Sequence, residues 1–428
     1  MSRCFVPDRL LMGRSVALLV ASSMLGCSAA ATGGGTGSGG SGAGTGGSSG
    51  IMTNPSTSYA QNSSTATFPY PQNHALPNCA FPAYNTDIVE TAYQNWKAKF
   101  FDGTKVIRPE NSNDTVSEGI AYGMLIGVFM DDQPMFDTLW TYAKAHPSPK
   151  GDGLMTFCIP AGGSSCSGNG SATDADEDMA YALLMASKQW SGGTYGSDAA
   201  TMIGNIYTHE VSGNVLLAGD SFGSGGTNQL DPSYFAPSYY RVFARVDSGH
   251  NWMGVLDESY TILAAASGSH GLVPNWVTQS GTGTGAVDST NGTSFGYDAC
   301  RTPFRIGMDY CLSGESRAQT YANLITAFYS SKSNATSLAG ISDGYTTAGD
   351  NPSGTLGDYG AGMAFTGPAG VAAMAAGNTT LRDISYLTLK SDSTGGAMKV
   401  SGTFTYFHAS WGVLSLMAMS GNFWDMTQ

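Results

Sequence analysis

SATDADEDMAYALLMASKQW, residues 171–190, sets Asp174, Asp176, Glu177 and Asp178 directly ahead of an apolar run. In a chain with only 12% charged residues, four carboxylates in five positions need a reason: helix capping, metal binding or chemistry. The residues after them repeat apolar side chains at three- and four-residue spacing, which describes a helix. Similar segments, broken by Gly/Ser/Asn-rich stretches, follow one another from about Ser64 onward. They begin near Thr86, Ser117, Gln133, Thr173, Gly196, Tyr234, Trp252, Phe295, Arg317, Pro368, Leu381 and Phe407. No alternating strand pattern competes over a comparable length, apart from short pieces such as residues 398–406. About twelve helices over residues 66–428 predict an all-α domain, a closed double ring of helical hairpins or (α/α)6 barrel. Such a barrel buries one ring inside the other, so polar residues at the N-terminal ends of inner helices can meet around a common cleft.

Ahead of the helical region the composition changes twice. Arg3, Arg9 and Arg14 precede a short apolar stretch, Val16 to Leu25, which is too short to span a bilayer and suits a signal peptide over residues 1–26. MLGC approximates a lipobox, which makes Cys27 the expected lipidated N-terminus; cleavage after Ala29-Ala30-Ala31 is the alternative. Residues 27–65, almost purely Gly, Ser, Thr and Ala from Gly33 to Gly50, read as a disordered tether. Export follows, either as a cell-envelope lipoprotein of the outer membrane or cell surface or as a secreted protein, with membrane contact only through Cys27. Loss of residues 1–26 removes three arginines and Asp8, a net +2, taking the formal charge from −13 to −15. No basic patch accompanies it, which excludes nucleic acid as a partner and favours a neutral substrate. Five cysteines remain, Cys79, Cys158, Cys166, Cys300 and Cys311, so at least one stays unpaired within the chain. Cys158 and Cys166 flank a Gly/Ser loop and form the expected disulfide, and no C-x-x-C or His cluster suggests a metal.

Three helix starts carry the candidate chemistry: TVSEGIAYGMLIGVF at 115–129, SATDADEDMAYALL at 171–184 and FGYDACRTPFRIGMDY at 295–310. Thr115-x-x-Glu118 matches a capping box, and on pattern alone capping is the leading reading of Glu118. Asp298 precedes Arg301 by one helical turn, the spacing of an ion pair on one face. Asp174-x-Asp176-x-Asp178 copies the start of an EF-hand loop, but Met179 stands where that loop needs glycine and Met185 where it needs glutamate. Asp176, Glu177 and Asp178 step around the helix by about 100° each, so they cannot share one cleft. At least one is expected to be solvated or to complement the helix dipole.

SEGIAYGM, ATDADEDMAYALL, DPSYFAPSYYRVFA (231–244) and GYDACRTPFRIGMDY, in this order, resemble glycoside hydrolase family 8. FPYPQNHALPN and the terminal YFHASWGVLSLMAMSGNF extend the similarity across nearly the whole exported region. The resemblance implies an (α/α)6 barrel and an inverting, endo-acting hydrolase of a β-1,4-linked glucan. It also implies Glu118 as general acid, Asp298 as general base, and Asp174 as the residue that holds the sugar at the cleavage point. Tyr297 and Arg301 would line the base, and no cofactor or metal is implied. The YDA and TDADED forms are similar to the cellulase-type branch rather than to the xylanase-like PDGEE form. In that branch tryptophans are expected near GLMTF and GDSFG, where Phe157 and Phe222 stand. Tyr234, Tyr239 and Tyr406 are further candidates for the sugar cleft, since flat aromatic faces suit sugar rings. Inverting chemistry requires one protonated and one ionised carboxyl. A glutamate of ordinary pKa is ionised at neutral pH, so Glu118 must be raised by burial or by Asp174, and Asp298 kept ionised with help from Arg301. A monomer acting on a β-linked polysaccharide is expected. A chitosanase, xylanase or lichenase is the rival within the family, and an inactive carbohydrate-binding lipoprotein the rival outside it.

Overall fold

The computed structural model describes residues 65–164, 166, 168–221, 226–352, 356, 362–394 and 405–428. The signal segment, Cys27 and the tether up to residue 64 lie outside them. Twelve helices account for the described architecture: α1 (Thr86–Phe100), α2 (Ser117–Phe129), α3 (Gln133–Ala145), α4 (Thr173–Gln189), α5 (Tyr195–Glu210), α6 (Pro237–Val246), α7 (Trp252–Ala266), α8 (Thr302–Ser313), α9 (Ser316–Lys332), α10 (Met363–Ala375), α11 (Thr379–Thr394) and α12 (Thr405–Ala418). Even-numbered helices touch in sequence, α2 to α4 to α6 to α8 to α10 to α12 and back to α2, while odd-numbered helices pack outside them. This is the (α/α)6 barrel.

Composition sorts the helices between the rings. In α3 the buried residues are Met135, Phe136, Leu139 and Ala143, one stripe of an amphipathic helix with its other face in solvent. In α10 every residue is buried, and in α2 every residue except Glu118 is. An inner helix has neighbours on all sides, so nearly its whole circumference is buried, and the one unburied residue of α2 is its acid.

The two ends of the barrel differ. Residues 66–74 and 421–428 cross the end where the inner helices finish. Gln72 Nε2 donates to the Phe129 carbonyl (2.7 Å), Gln189 Nε2 to those of Phe68 (2.8 Å) and Val128 (3.1 Å), and the His74 ring stacks on Trp424 at 3.7 Å. Gly421 adopts φ +68°, and a Cβ there would lie 2.5 Å from the His74 carbonyl oxygen, so only glycine fits this closure. At the opposite end, where the inner helices begin, the described residues leave the Glu118 side chain 21% exposed. Among the described residues there are two disulfides, Cys158–Cys166 as expected and Cys79–Cys311, which ties the N-terminal segment to the last turn of α8; Cys300 is free and buried.

Some expected boundaries move. The helix expected near Phe295 starts at Thr302, after a 3-10 turn at Ala299–Arg301, and that expected near Tyr234 starts at Pro237, after a 3-10 turn at Pro232–Tyr234. Pro368 lies inside α10 rather than at its start. A strand at 398–406 falls mostly outside the described residues, and its last two positions belong to α12.

Candidate active site

At the end where the inner helices begin, Arg301 gathers side chains from three other elements. Its Nη1 donates to Glu118 Oε2 (3.0 Å) at the head of α2 and to Asp174 Oδ2 (2.5 Å) at the head of α4. Its Nη2 donates to Asp231 Oδ2 (3.2 Å), ahead of α6, and its ring of charge sits over the Tyr234 face at 5.0 Å. Arg301, Asp174 and Asp231 are buried, whereas the Glu118 side chain keeps 21% exposure toward the opening.

The local chain explains how Glu118 arrives there. Thr115–Val116 pairs antiparallel with Cys158–Ile159, and Ser117 N–H donates to the Phe157 carbonyl at 2.9 Å. The capping reading is corrected: Thr115 Oγ1 donates to the Val106 carbonyl (3.0 Å), and α2 has no side-chain cap. Freed from capping, Glu118 turns to Arg301 and accepts from the Tyr406 hydroxyl at 3.0 Å. Gly119 permits this, since a Cβ there would lie 3.0 Å from that hydroxyl oxygen. Burial pushes the Glu118 pKa up to about 7, with Arg301 opposing, Asp174 adding and the Tyr406 hydrogen bond opposing.

Asp298 stands apart from this cluster. Its Oδ2 accepts from Trp276 Nε1 at 3.1 Å, and no hydrogen bond joins it to Glu118. The expected ion pair with Arg301 is corrected: Arg301 Nε donates to the Asp298 backbone carbonyl (3.1 Å), because the guanidinium is turned inward to three other carboxylates. Burial raises the Asp298 pKa, and the Arg301 charge pulls against that rise without a hydrogen bond to the carboxylate. Tyr297, next to it, is half-buried and donates to Asp343 Oδ2 at 3.1 Å.

The acids of the opening stretch divide differently from expectation. Asp176, Glu177 and Asp178 are all buried, so none is solvated. Asp178 forms a two-point pair with Arg305, Nη1 to Oδ1 at 2.9 Å and Nη2 to Oδ2 at 3.0 Å. Asp176 faces Glu210 of α5, and burial followed by that neighbour's charge holds its carboxyl well above the usual range. Burial also drives Glu177 well above that range, with Arg305 opposing. Asp174, Asp176 and Asp178 thus turn to three different partners, which is incompatible with one shared cation.

Among the aromatic candidates, Tyr234 and Tyr406 touch the cluster directly, and Phe157 is half-buried beside the start of α2. Tyr239 is a correction: it is 4% exposed, stacks on Tyr181 at 3.9 Å and lies beside Arg305, in the layer beneath the cleft. Phe222 lies outside the described residues. Asp231, which contacts Arg301, and Trp276, which donates to Asp298, were not singled out by the sequence reading. Asp231 opens the quoted DPSYF segment, where Asp-Pro reads as an ordinary turn start, and Trp276 sits in a loop without periodicity.

Comparison with known proteins gives a consistent result. The model of a family described as glycosyl hydrolases family 8 matches residues 67–420. The chain is 34% identical over 376 residues to Endoglucanase C of Ruminiclostridium cellulolyticum, covering 83% of this chain and 77% of that protein. It is 35% identical over 356 residues to Endoglucanase A of Acetivibrio thermocellus, covering 79% and 70%. Among solved structures, the apo β-1,3-1,4-glucanase from Paenibacillus sp. X4 superposes with a TM-score of 0.73 at 29% identity, covering 86% of this chain and 100% of that one.

Proposed function

The chain belongs to glycosyl hydrolases family 8 and is an endo-acting glycoside hydrolase, and on that premise we propose that it cuts β-1,4 linkages in a glucan with inversion. In this reading Glu118 donates its proton to the glycosidic oxygen as the bond to the anomeric carbon breaks. Asp298 takes a proton from the water that attacks the same carbon from the opposite face. Asp174 holds the sugar at the cleavage point, with Arg301 fixing its orientation. Tyr297, Tyr234, Tyr406 and Phe157 complete the walls. Endoglucanase relatives and a mixed-linkage glucanase structure support a glucan over xylan or chitosan. Export with a lipid anchor at Cys27 and a Gly/Ser tether is part of the same proposal, supported by the MLGC segment and the composition that follows it.

One observation carries the assignment of acid and base. Glu118 is held near pKa 7 inside a carboxylate cluster, while Asp298, on its own tryptophan N–H, lies outside it. Two carboxyls in distinct surroundings can take opposite protonation states at one pH. A substrate covering Glu118 removes its remaining exposure and strengthens its hold on the proton.

The test incubates the protein with carboxymethyl-cellulose, mixed-linkage glucan, xylan and chitosan and follows product anomers by NMR. Initial α-anomers from the glucans are expected. Initial β-anomers reject inversion, and activity on xylan or chitosan alone rejects the substrate. Glu118→Gln should lower kcat about 10³-fold or more, within the range for loss of a positioned acid.

A further inference from the structure

Asp298 stands at the N-cap of the turn Ala299–Arg301, where an aspartate ordinarily commits its carboxylate to the first backbone N–H groups of the helix. Here it makes no such bond. Asn275, 24 residues before Ala299, does the capping from outside. Its Oδ1 accepts from Ala299 N–H at 3.0 Å and from Gly296 N–H at 2.9 Å, while its Nδ2 donates to the Asn291 carbonyl at 3.2 Å. Two donors at the oxygen and an acceptor at the nitrogen fix which way the amide points. Asn275 is 3% exposed, and Gly296 lets it come close, since a Cβ there would lie 2.9 Å from Asn275 Nδ2.

The next residue, Trp276, is the indole donor to Asp298 Oδ2. Both residues lie on a strip that is itself tied down, Asn275 N–H to the Ser294 carbonyl at 2.8 Å and Trp276 N–H to that of Gly292 at 2.9 Å. One dipeptide therefore holds the backbone on both sides of Asp298 and one of its two carboxylate oxygens. The other oxygen, Oδ1, makes no hydrogen bond among the described residues, and Asp298 is half-buried.

We propose that Asn275 and Trp276 are positioning residues for the hydrolysis: Asn275 caps the turn in place of Asp298, and Trp276 aims the carboxylate so freed, leaving Oδ1 for the attacking water. This inference rests on the reading of Asp298 as the base. Its effect falls on kcat, because the base acts on the water as the bond to the anomeric carbon breaks, whereas the sugar is bound by other groups.

The protonation of Asp298 supplies a second readout. Burial raises its pKa; the Arg301 charge and then the Trp276 hydrogen bond oppose that rise, and Asp288 and Asp174 add to it. Asp231, Tyr234 and Cys300 also feel its charge. None of these charged groups changes when the indole N–H is removed. A donor to the carboxylate favours the ionised form, so its loss raises the pKa. Activity that needs the ionised base is lost as pH falls through that pKa, so the acid limb of the profile reports it.

The experiment measures kcat and KM across pH on a soluble mixed-linkage glucan for the unsubstituted protein, Asn275→Ala, Asn275→Asp and Trp276→Phe. Asn275→Ala should lower kcat about 10²-fold with KM little changed, the scale of a reacting group misplaced by about an ångström. Asn275→Asp keeps an oxygen for both N–H groups and should restore most of kcat. Trp276→Phe should move the acid limb to higher pH by about half a unit, the worth of one hydrogen bond. An unchanged kcat in Asn275→Ala, or a loss carried by KM instead, overturns the proposal. So does an unmoved acid limb in Trp276→Phe, which decides the matter even if Asn275→Ala fails to fold. Asp298→Asn is measured alongside. If it is inactive while the other variants match the unsubstituted protein, only this inference falls; if it stays active, the assignment of the base falls.

Discussion

Arg301 and Arg305 lie one helical turn apart and both are buried, but their surroundings are opposite in kind. Arg305 meets one carboxylate, Asp178, through two parallel hydrogen bonds and lies near the ring of Tyr239. Arg301 makes single contacts to Glu118, Asp174 and Asp231 and a fourth to a backbone carbonyl. The first arrangement balances one charge with one charge and is closed to anything else. The second leaves more acid than base beside an opening, so protons must make up the difference. The same residue type, four positions on, serves structure in one layer and proton control in the next.

Breaking the closed pair should have the largest effect. Asp178→Asn leaves a buried guanidinium without its counter-charge and should cost about 3–5 kcal/mol of stability. Denaturant titration checks it, and a cost below about 1 kcal/mol contradicts the contrast drawn here. Asp174→Asn should behave in the reverse way. Arg301 keeps Glu118 and Asp231, so stability changes little, while kcat on glucan should fall about 10²–10³-fold through loss of a preorganised polar contact to the sugar. Equal losses of stability in the two variants would remove the distinction. Tyr406→Phe should give the smallest effect. The tyrosine hydroxyl donates to the Glu118 anion and lowers its pKa, so its loss raises that pKa. The alkaline limb of the activity profile should then move to higher pH by roughly half a unit, about the worth of one hydrogen bond. A downward shift would be inconsistent with the cluster as described.

The ring architecture was legible because each helix carries its own apolar period; starts at Thr86, Ser117, Gln133, Thr173 and Trp252 coincide with the observed ones. Boundaries shifted where the chain enters through a 3-10 turn, as at Ala299–Arg301, since one tight turn leaves no repeat to read. The acids of α4 were misjudged for a physical reason. Expecting at least one of Asp176, Glu177 and Asp178 to be solvated assumes that the start of this helix has a wet face, and here all three are buried. Their partners, Glu210 on α5 and Arg305 on α8, are supplied by distant segments that no local pattern connects. Asp231 escaped notice similarly, because its partner is a guanidinium 70 residues away. Cys79–Cys311 joins positions separated by 232 residues, whereas Cys158–Cys166 spans a short loop that sequence alone could suggest.

That long bridge also has a topological consequence. Every loop between α1 and α8 lies inside a covalent ring closed by Cys79 and Cys311. Backbone cleavage by a peptidase at any one of those loops opens the ring but releases no fragment. The two pieces stay joined until a reductant arrives, so an enzyme nicked there retains all of its inner helices at one address.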